Sequence, residues 1–135
     1  QLDFIKTVNS ANLFVLGIHD GTELIGVCSI DEINHYNRNC SLSIIIGEKI
    51  KDEKLTLEVF YRLIIHCFES LNLRKVKIGQ HIGLKLFNAQ LKHYFGFERE
   101  GLLKEELYKG GKYNDVILSS LFKEKFYNNK ERIKS

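Results

Sequence analysis

The sequence contains no methionine, no proline and no tryptophan, and only three of its 135 residues are cysteines. Because it has no Met, we expect that it does not begin at its own initiator and that it is part of a longer protein. Cys28, Cys40 and Cys67 are an odd number without CxxC spacing, and each lies in a predicted strand or helix. This pattern predicts buried free thiols and a reducing compartment, the cytoplasm, rather than a disulfide framework.

Long apolar runs and a strong charge of one sign are missing too. No run approaches the ~20 residues of a membrane-spanning helix, and no signal peptide is visible. The net charge of +3 is mild, and no basic stripe with interleaved aromatic residues indicates nucleic-acid binding. The five histidines have no metal-ligand spacing, and Walker and GxGxxG motifs are absent. We therefore expect a single domain, residues 1–135, without metal, nucleic-acid or membrane partners.

The most informative stretch of the chain runs from Ser41 to Gln80. Ser41–Gly47 is apolar and β-branched and predicts a buried strand, whereas Lys75–Gly79 alternates with period two and predicts a second one. Between them, Lys54–Asn72 carries apolar residues at helical spacing, with Glu58 and Arg62 on the polar face as an i,i+4 pair. Strand, helix and strand predict a βαβ unit with two parallel strands, whose helix start suits phosphate binding.

The flanking segments predict hairpins and one more helix. The first hairpin joins Leu13–His19 to Glu23–Ile30 through Asp20-Gly21, and the second joins Phe97–Leu107 to Tyr113–Phe122 through Lys109–Lys112. Leu84, Phe87, Leu91, Tyr94 and Phe95 recur at helical spacing, and Gly96 predicts a left-handed cap. The fold class is thus α+β: a mixed sheet, mainly antiparallel, with one central parallel pair.

Three segments remain outside these elements. Asp3–Val8 predicts the last turns of a helix, Asp31–Asn39 predicts a loop, and residues 123–135 predict a solvated C-terminal tail of mixed charge.

Three stretches of the sequence resemble the GCN5-related N-acetyltransferase (GNAT) superfamily, in the branch that includes ribosomal-protein-alanine and amino-sugar N-acetyltransferases. The stretches are Glu23–Val27, then Ile46-Gly47 with the helix ending in Cys67–Val76, then Gly96–Lys104 leading to Gly111–Asp115. Their order and spacing cover nearly everything from Leu13 to Phe122. The family's fold has a further N-terminal strand and two helices, so the resemblance implies an N-terminally truncated domain.

The resemblance implies acetyl-CoA as co-substrate, bound where the two parallel strands part. Carried over to this sequence, the pantetheine strand is Ile44, Ile45 and Ile46, and the pyrophosphate loop is Lys51–Leu57, with Lys51, Lys54, Leu55, Thr56 and Leu57 as binding candidates. The family's loop is usually rich in glycine, and this one has none after Gly47. The alternative interpretation of Lys51–Leu57 is an ordinary capped helix start that binds no phosphate.

The catalytic residues that the resemblance implies do not fall on matching positions. The family's tyrosine, four residues before the glycine of Gly-Phe, corresponds to Lys92. The nearest suitable residues are Tyr94, as proton donor to the leaving thiolate, and Asn88, as a cofactor-binding amide. Tyr94 also fits a plain core tyrosine, because it lies on the apolar stripe. Glu106 is the candidate base, and an exposed glutamate without a role is its alternative.

The function that follows is acetyl transfer from acetyl-CoA to a primary amine by direct attack. The acceptor is an amino sugar, an amino acid, a polyamine or a protein N-terminus, and the sequence does not choose among them. The alternatives are a degenerate, non-catalytic GNAT-like module that binds CoA, and a scaffold that acts through its sheet edge. A truncated domain would expose apolar surface, so we expect homo-oligomers.

Overall fold

The computed structural model describes residues 2–9, 13–46, 53–83 and 85–134. The chain forms two compact units, residues 1–73 and residues 74–135. In the first unit, four strands form an antiparallel sheet in the order β1-β2-β3-β4. They are β1 (Leu2–Asn9), β2 (Phe14–Asp20), β3 (Glu23–Asn34) and β4 (Asn39–Ile46).

The β2–β3 hairpin is confirmed, and its turn lies at the predicted place. Asp20 pairs with Glu23, and Gly21 has φ +65°, a left-handed conformation that glycine adopts without strain. The prediction of a helix end at Asp3–Val8 was wrong, because this segment is strand β1. Phe4 pairs with Ile18 of β2, and a ladder of such pairs satisfies backbone groups that a helix of two turns would leave largely unpaired.

The predicted loop Asp31–Asn39 is also largely strand. β3 continues to Asn34, and β4 begins at Asn39 after a short turn. The register shifts between Asp31 and Asn34, where Glu32 has φ +49°. This irregularity keeps Ile33 in the core at 3% exposure, although its neighbours are polar.

Helix α1 (Glu53–Ile65) follows β4 along the chain and continues as a π-helical turn, His66–Ser70. The predicted Glu58–Arg62 pair is confirmed, with a side-chain N–O distance of 3.1 Å. The apolar stripe is buried as expected at Phe60, Leu63, Ile64, Cys67 and Phe68, whereas its last predicted member, Leu71, is half-buried. All three cysteines are buried free thiols, as the sequence predicted.

The second unit contains the strands β5 (Lys75–His81), β6 (Glu98–Lys109) and β7 (Lys112–Phe122). They form an antiparallel sheet in the order β5-β7-β6. The predicted β6–β7 hairpin is confirmed, with positive φ at Gly110 and Gly111. Asn114 Nδ2 donates hydrogen bonds to the carbonyl oxygens of Lys109 and Lys112, at 2.9 and 3.0 Å, and so closes the turn.

The second predicted helix is α2 (Lys85–Gln90) followed by a π-helical turn, Leu91–Phe95. Gly96 caps it as predicted, with φ +97° and its N–H bonded to the carbonyl oxygens of Leu91 and Lys92. Within the part of the chain that the structure describes, no helix combines the length and apolar character needed to cross a membrane.

The prediction of a solvated tail after Phe122 was wrong in structural terms. Residues Lys123–Lys134 form helix α3, in which Phe126 is 2% and Asn129 8% exposed. Phe126 belongs to the buried core, and Asn129 Nδ2 donates to the carbonyl oxygen of Tyr94 at 2.6 Å. These tertiary contacts hold a segment whose mixed charge indicated solvent.

Candidate functional site

The predicted pantetheine strand lies in β4. In the sheet register Ile44 pairs with Cys28, Ile45 with Val27 and Ile46 with Gly26, all three on β3. The side chain of Ile44 is half-buried. These residues are therefore strand residues, as the sequence predicted, and their contact with pantetheine stays a prediction.

The predicted pyrophosphate loop is mostly helix. Because α1 begins at Glu53, Lys54–Leu57 lie in its first two turns, and Lys51 lies outside the described residues. A segment rich in Glu, Lys and Leu and free of glycine favours a helix over an open loop. The N–H groups of a first helical turn have no intrahelical acceptor, and the helix dipole is positive at that end. The exposed Lys54 adds a positive charge next to the acidic Glu53, and diphosphate binding at this helix start stays a prediction.

Asn88 is a half-buried residue of α2 with both ends of its amide engaged. Its Oδ1 accepts a hydrogen bond from Gln80 Nε2 at 2.8 Å, and its Nδ2 donates to the carbonyl oxygen of His81 at 3.4 Å. Among the described residues, these two bonds leave one N–H and one lone pair of the Asn88 amide for a ligand.

Gln80 is a residue that the sequence interpretation missed. It is 3% exposed, and its Oε1 has no hydrogen-bond partner among the described residues. The signal was available: Val76, Ile78 and Gln80 share one face of β5, so a polar residue occupies a core-facing position.

Tyr94 lies in the π-helical turn, and its side chain is 43% exposed. The interpretation as a core tyrosine was therefore wrong. Each turn of a π-helix contains more residues than an α-turn, so the apolar stripe shifts and buries Leu91 and Phe95 instead. The Tyr94 ring packs edge-on against Phe95, with 4.9 Å between ring centroids. Tyr94 is thus a partly exposed residue, and its role as proton donor, which the resemblance implies, stays a prediction.

Glu106 is an exposed residue of β6 at an irregular part of the hairpin. The register jumps between Leu103 and Leu107, so three residues of β6 lie opposite Asp115 alone. Glu105 has φ +52°, and its N–H donates to Asp115 Oδ1 at 2.9 Å. Asp115, which ends the third stretch that resembles the GNAT superfamily, therefore fixes the bulge that carries Glu106.

A separate groove of about 540 Å³ lies entirely within the first unit. Its lining residues are Phe14, Leu16, Arg62, Leu63, His66, Ser70 and Leu71. It contains none of the candidate site residues. Across residues 2–9, 13–46, 53–83 and 85–134, no three His, Cys, Asp or Glu side chains are grouped closely enough to hold a metal ion.

Comparison with known proteins identifies the family to which this chain is similar. Residues 2–118 match the acetyltransferase (GNAT) domain family. Over 128 residues the chain is 29% identical to spermidine N(1)-acetyltransferase of Vibrio cholerae, covering 84% of this chain and 72% of the relative. It is 27% identical to the putative ribosomal N-acetyltransferase YdaF of Bacillus subtilis over 106 residues, which is 78% of this chain and 57% of that protein.

Solved structures agree with these matches. A dodecameric structure of spermidine N-acetyltransferase from Vibrio cholerae matches with a TM-score of 0.79 and 26% identity, over 87% of this chain and 69% of that one. A probable acetyltransferase matches with a TM-score of 0.76 and 25% identity, and the chain spans 64% of its length. The predicted fold class and the predicted N-acetyltransferase class are both confirmed by this agreement. The chain belongs to the GNAT family of acetyltransferases.

Proposed function

We propose that this chain transfers the acetyl group of acetyl-CoA to a primary amine of a polyamine. The observation that carries the choice of acceptor is the similarity to a spermidine N(1)-acetyltransferase, at 29% identity over 84% of the chain. The similarity to a putative ribosomal N-acetyltransferase covers less of both chains, so a protein N-terminus is the second candidate acceptor.

The donor side of the proposal rests on two elements of the first unit. Backbone groups of Ile44, Ile45 and Ile46 in β4 would pair with the pantetheine amides. First-turn N–H groups of α1, with Lys54 and Thr56, would hold the pyrophosphate. The bound co-substrate supplies the thioester that is attacked, whereas the protein supplies position and charge.

The transfer itself requires a neutral amine and a proton for the departing thiolate. A tyrosine hydroxyl carries its proton at neutral pH, and the exposed Tyr94 would donate it. Glu106, held in the bulge that Asp115 fixes, would remove the proton from the amine. Asn88 would use its remaining N–H toward the cofactor.

The test is release of CoA from acetyl-CoA in the presence of spermidine, with N-terminal peptides and amino sugars as competing acceptors. We expect spermidine to give the highest kcat/KM, and a polyamine without free primary amines to give none. A higher kcat/KM for a peptide than for spermidine would identify a protein N-terminus, and not a polyamine, as the acceptor. Clear acetyl-CoA binding without CoA release from any amine would contradict catalysis and favour the non-catalytic module.

We also propose that the chain works in the cytoplasm and self-associates. Three free thiols support a reducing compartment. The dodecameric structure of a relative supports self-association, as does one apolar face of the second unit's sheet. The side chains Leu103, Leu107, Leu118 and Phe122 share that face, and each is 36–39% exposed.

A further inference from the structure

Two of the three cysteines lie in contact inside the first unit, although 27 positions separate them in the sequence. Cys40 belongs to β4 and Cys67 to the π-helical turn after α1, and both side chains are 0% exposed. Their Sγ atoms are 3.7 Å apart. Two sulfur atoms in direct contact need a further approach of only about 1.7 Å to reach the length of a disulfide bond.

A second contact holds the same two segments together. Arg38, two residues before Cys40, donates from Nε to the carbonyl oxygen of Asn72 at 2.9 Å and from Nη2 to Asn72 Oδ1 at 3.3 Å. Asn72 lies just beyond the π-helical turn, where the N–H of Leu73 donates to the carbonyl oxygen of Cys67 at 3.0 Å. These hydrogen bonds hold the segment that carries Cys40 close to the segment that carries Cys67.

We propose that Cys40 and Cys67 are an oxidation site, which forms an intramolecular disulfide when the protein meets a hydroperoxide. In the first step one thiolate attacks the peroxide oxygen, giving a sulfenic acid and releasing the alcohol or water. In the second step the other thiol attacks the sulfenic sulfur, and the S–S bond forms as water leaves. Two thiols and one hydroperoxide give one disulfide, one alcohol and one water, so two electrons pass from sulfur to peroxide.

Burial sets the rate of this reaction. The pKa of the Cys67 thiol is raised well above its usual value by its hydrogen bond with Cys40 and by burial, so little thiolate is present in the closed structure. Oxidation therefore waits for local opening of the π-helical turn and is slow. The product would tie the start of β4 to the π-helical turn that follows α1, and β4 and α1 are the two elements on which the proposed acetyl-CoA site rests.

Cys28 is the matched internal control. It is 1% exposed on β3, where its register neighbours are Leu16 and Ile44. Three cysteines allow three pairings, and the structure selects one of them. Oxidation of the folded chain should give only the Cys40–Cys67 pair, whereas oxidation of the denatured chain should give a mixture.

The experiment exposes the full chain to hydrogen peroxide under native conditions, then alkylates it in denaturant and maps the peptides by mass spectrometry. We expect alkylation at Cys28 alone, a Cys40–Cys67 peptide lighter by two hydrogen atoms, and a higher melting temperature that dithiothreitol reverses. Cys28→Ser should keep the cross-link, and Cys40→Ser should lose it. Alkylation of all three cysteines after oxidation, a disulfide that includes Cys28, or a disulfide between two chains would overturn the proposal. The disulfides formed in native and in denatured wild-type protein can be compared without any variant. This comparison tests the proposal even if a substitution prevents folding.

Discussion

Gln80 and Asn88 form a hydrogen bond of 2.8 Å that joins β5 to α2 inside the second unit. Gln80 donates this bond from Nε2, and it is the one side-chain bond that this nearly buried amide makes among the described residues. Asn88→Ala should therefore lower the free energy of unfolding by about 1–3 kcal/mol, because it leaves a second end of Gln80 unpaired. Urea unfolding measures the change.

The control for this prediction is the same substitution in a Gln80→Met background. Removing both partners of a buried hydrogen bond costs less than removing one, so Asn88→Ala should be less destabilising there. Equal losses in the two backgrounds would mean that the Gln80–Asn88 bond does not carry the effect.

Lys54 tests the cofactor side of the proposed function. Acetyl-CoA should raise the melting temperature, because a ligand that binds only the folded chain stabilises it by mass action. Lys54→Ala should reduce this shift, since it removes a positive charge from the start of α1. Lys109→Ala, the same change at the tip of the β6–β7 hairpin, should leave the shift intact. A shift of equal size in both variants would count against the helix start as the pyrophosphate site.

Tyr94 tests the chemical step. Tyr94→Phe should lower kcat at least about tenfold, which is the low end for a lost acid or base, while the acetyl-CoA melting shift stays unchanged. The side chain is 43% exposed, so the loss of its hydroxyl should hardly alter stability. Tyr108→Phe, at a residue 64% exposed, is the control and should keep full turnover. Unchanged kcat in Tyr94→Phe would assign the proton donor elsewhere.

The buried thiol of Cys28 should make the protein less stable at alkaline pH. Burial raises its pKa from 9.0 to about 11. The unfolded chain therefore releases this proton first, and the free energy of unfolding falls as pH rises from about 9 to about 11. The full effect is about 2–3 kcal/mol. Cys28→Ala should flatten this part of the stability profile relative to wild type, as measured by urea unfolding at each pH. Parallel profiles for the two proteins would disprove the assignment.

If the chain self-associates through the apolar face of the second unit's sheet, self-association should depend on Leu118, which lies on that face. Light scattering of the wild-type chain should give a mass above that of the monomer. Leu118→Glu should reduce it, because a charge would lie among the three remaining apolar side chains, Leu103, Leu107 and Phe122. Leu24→Glu, at a residue 57% exposed on β3, is the control and should retain the wild-type mass. A monomer at every concentration of the wild-type chain would disprove self-association.

The sequence alone determined the features that depend on neighbouring residues. Asp20-Gly21 fixed the first hairpin, Gly96 fixed the end of the second helix, and the spacing of Phe60, Leu63 and Ile64 fixed the buried side of α1. These signals are local, because a turn needs a residue that accepts positive φ and an amphipathic helix needs its apolar residues at one period. The family resemblance rested on three stretches of sequence and on their order and spacing along the chain.

Tertiary structure determined the conformation of segments whose contact partners are distant in the sequence. Leu2–Asn9 is a strand because β2 pairs with it, and Lys123–Lys134 is a helix because Phe126 enters the core. Tyr94 is exposed because a π-helical turn shifts the apolar stripe, and periodicity predicted from an α-helix does not contain that shift. The contact of Cys40 with Cys67 across 27 positions has the same origin: spacing along a chain does not specify distance in space until the strand and the helix have packed.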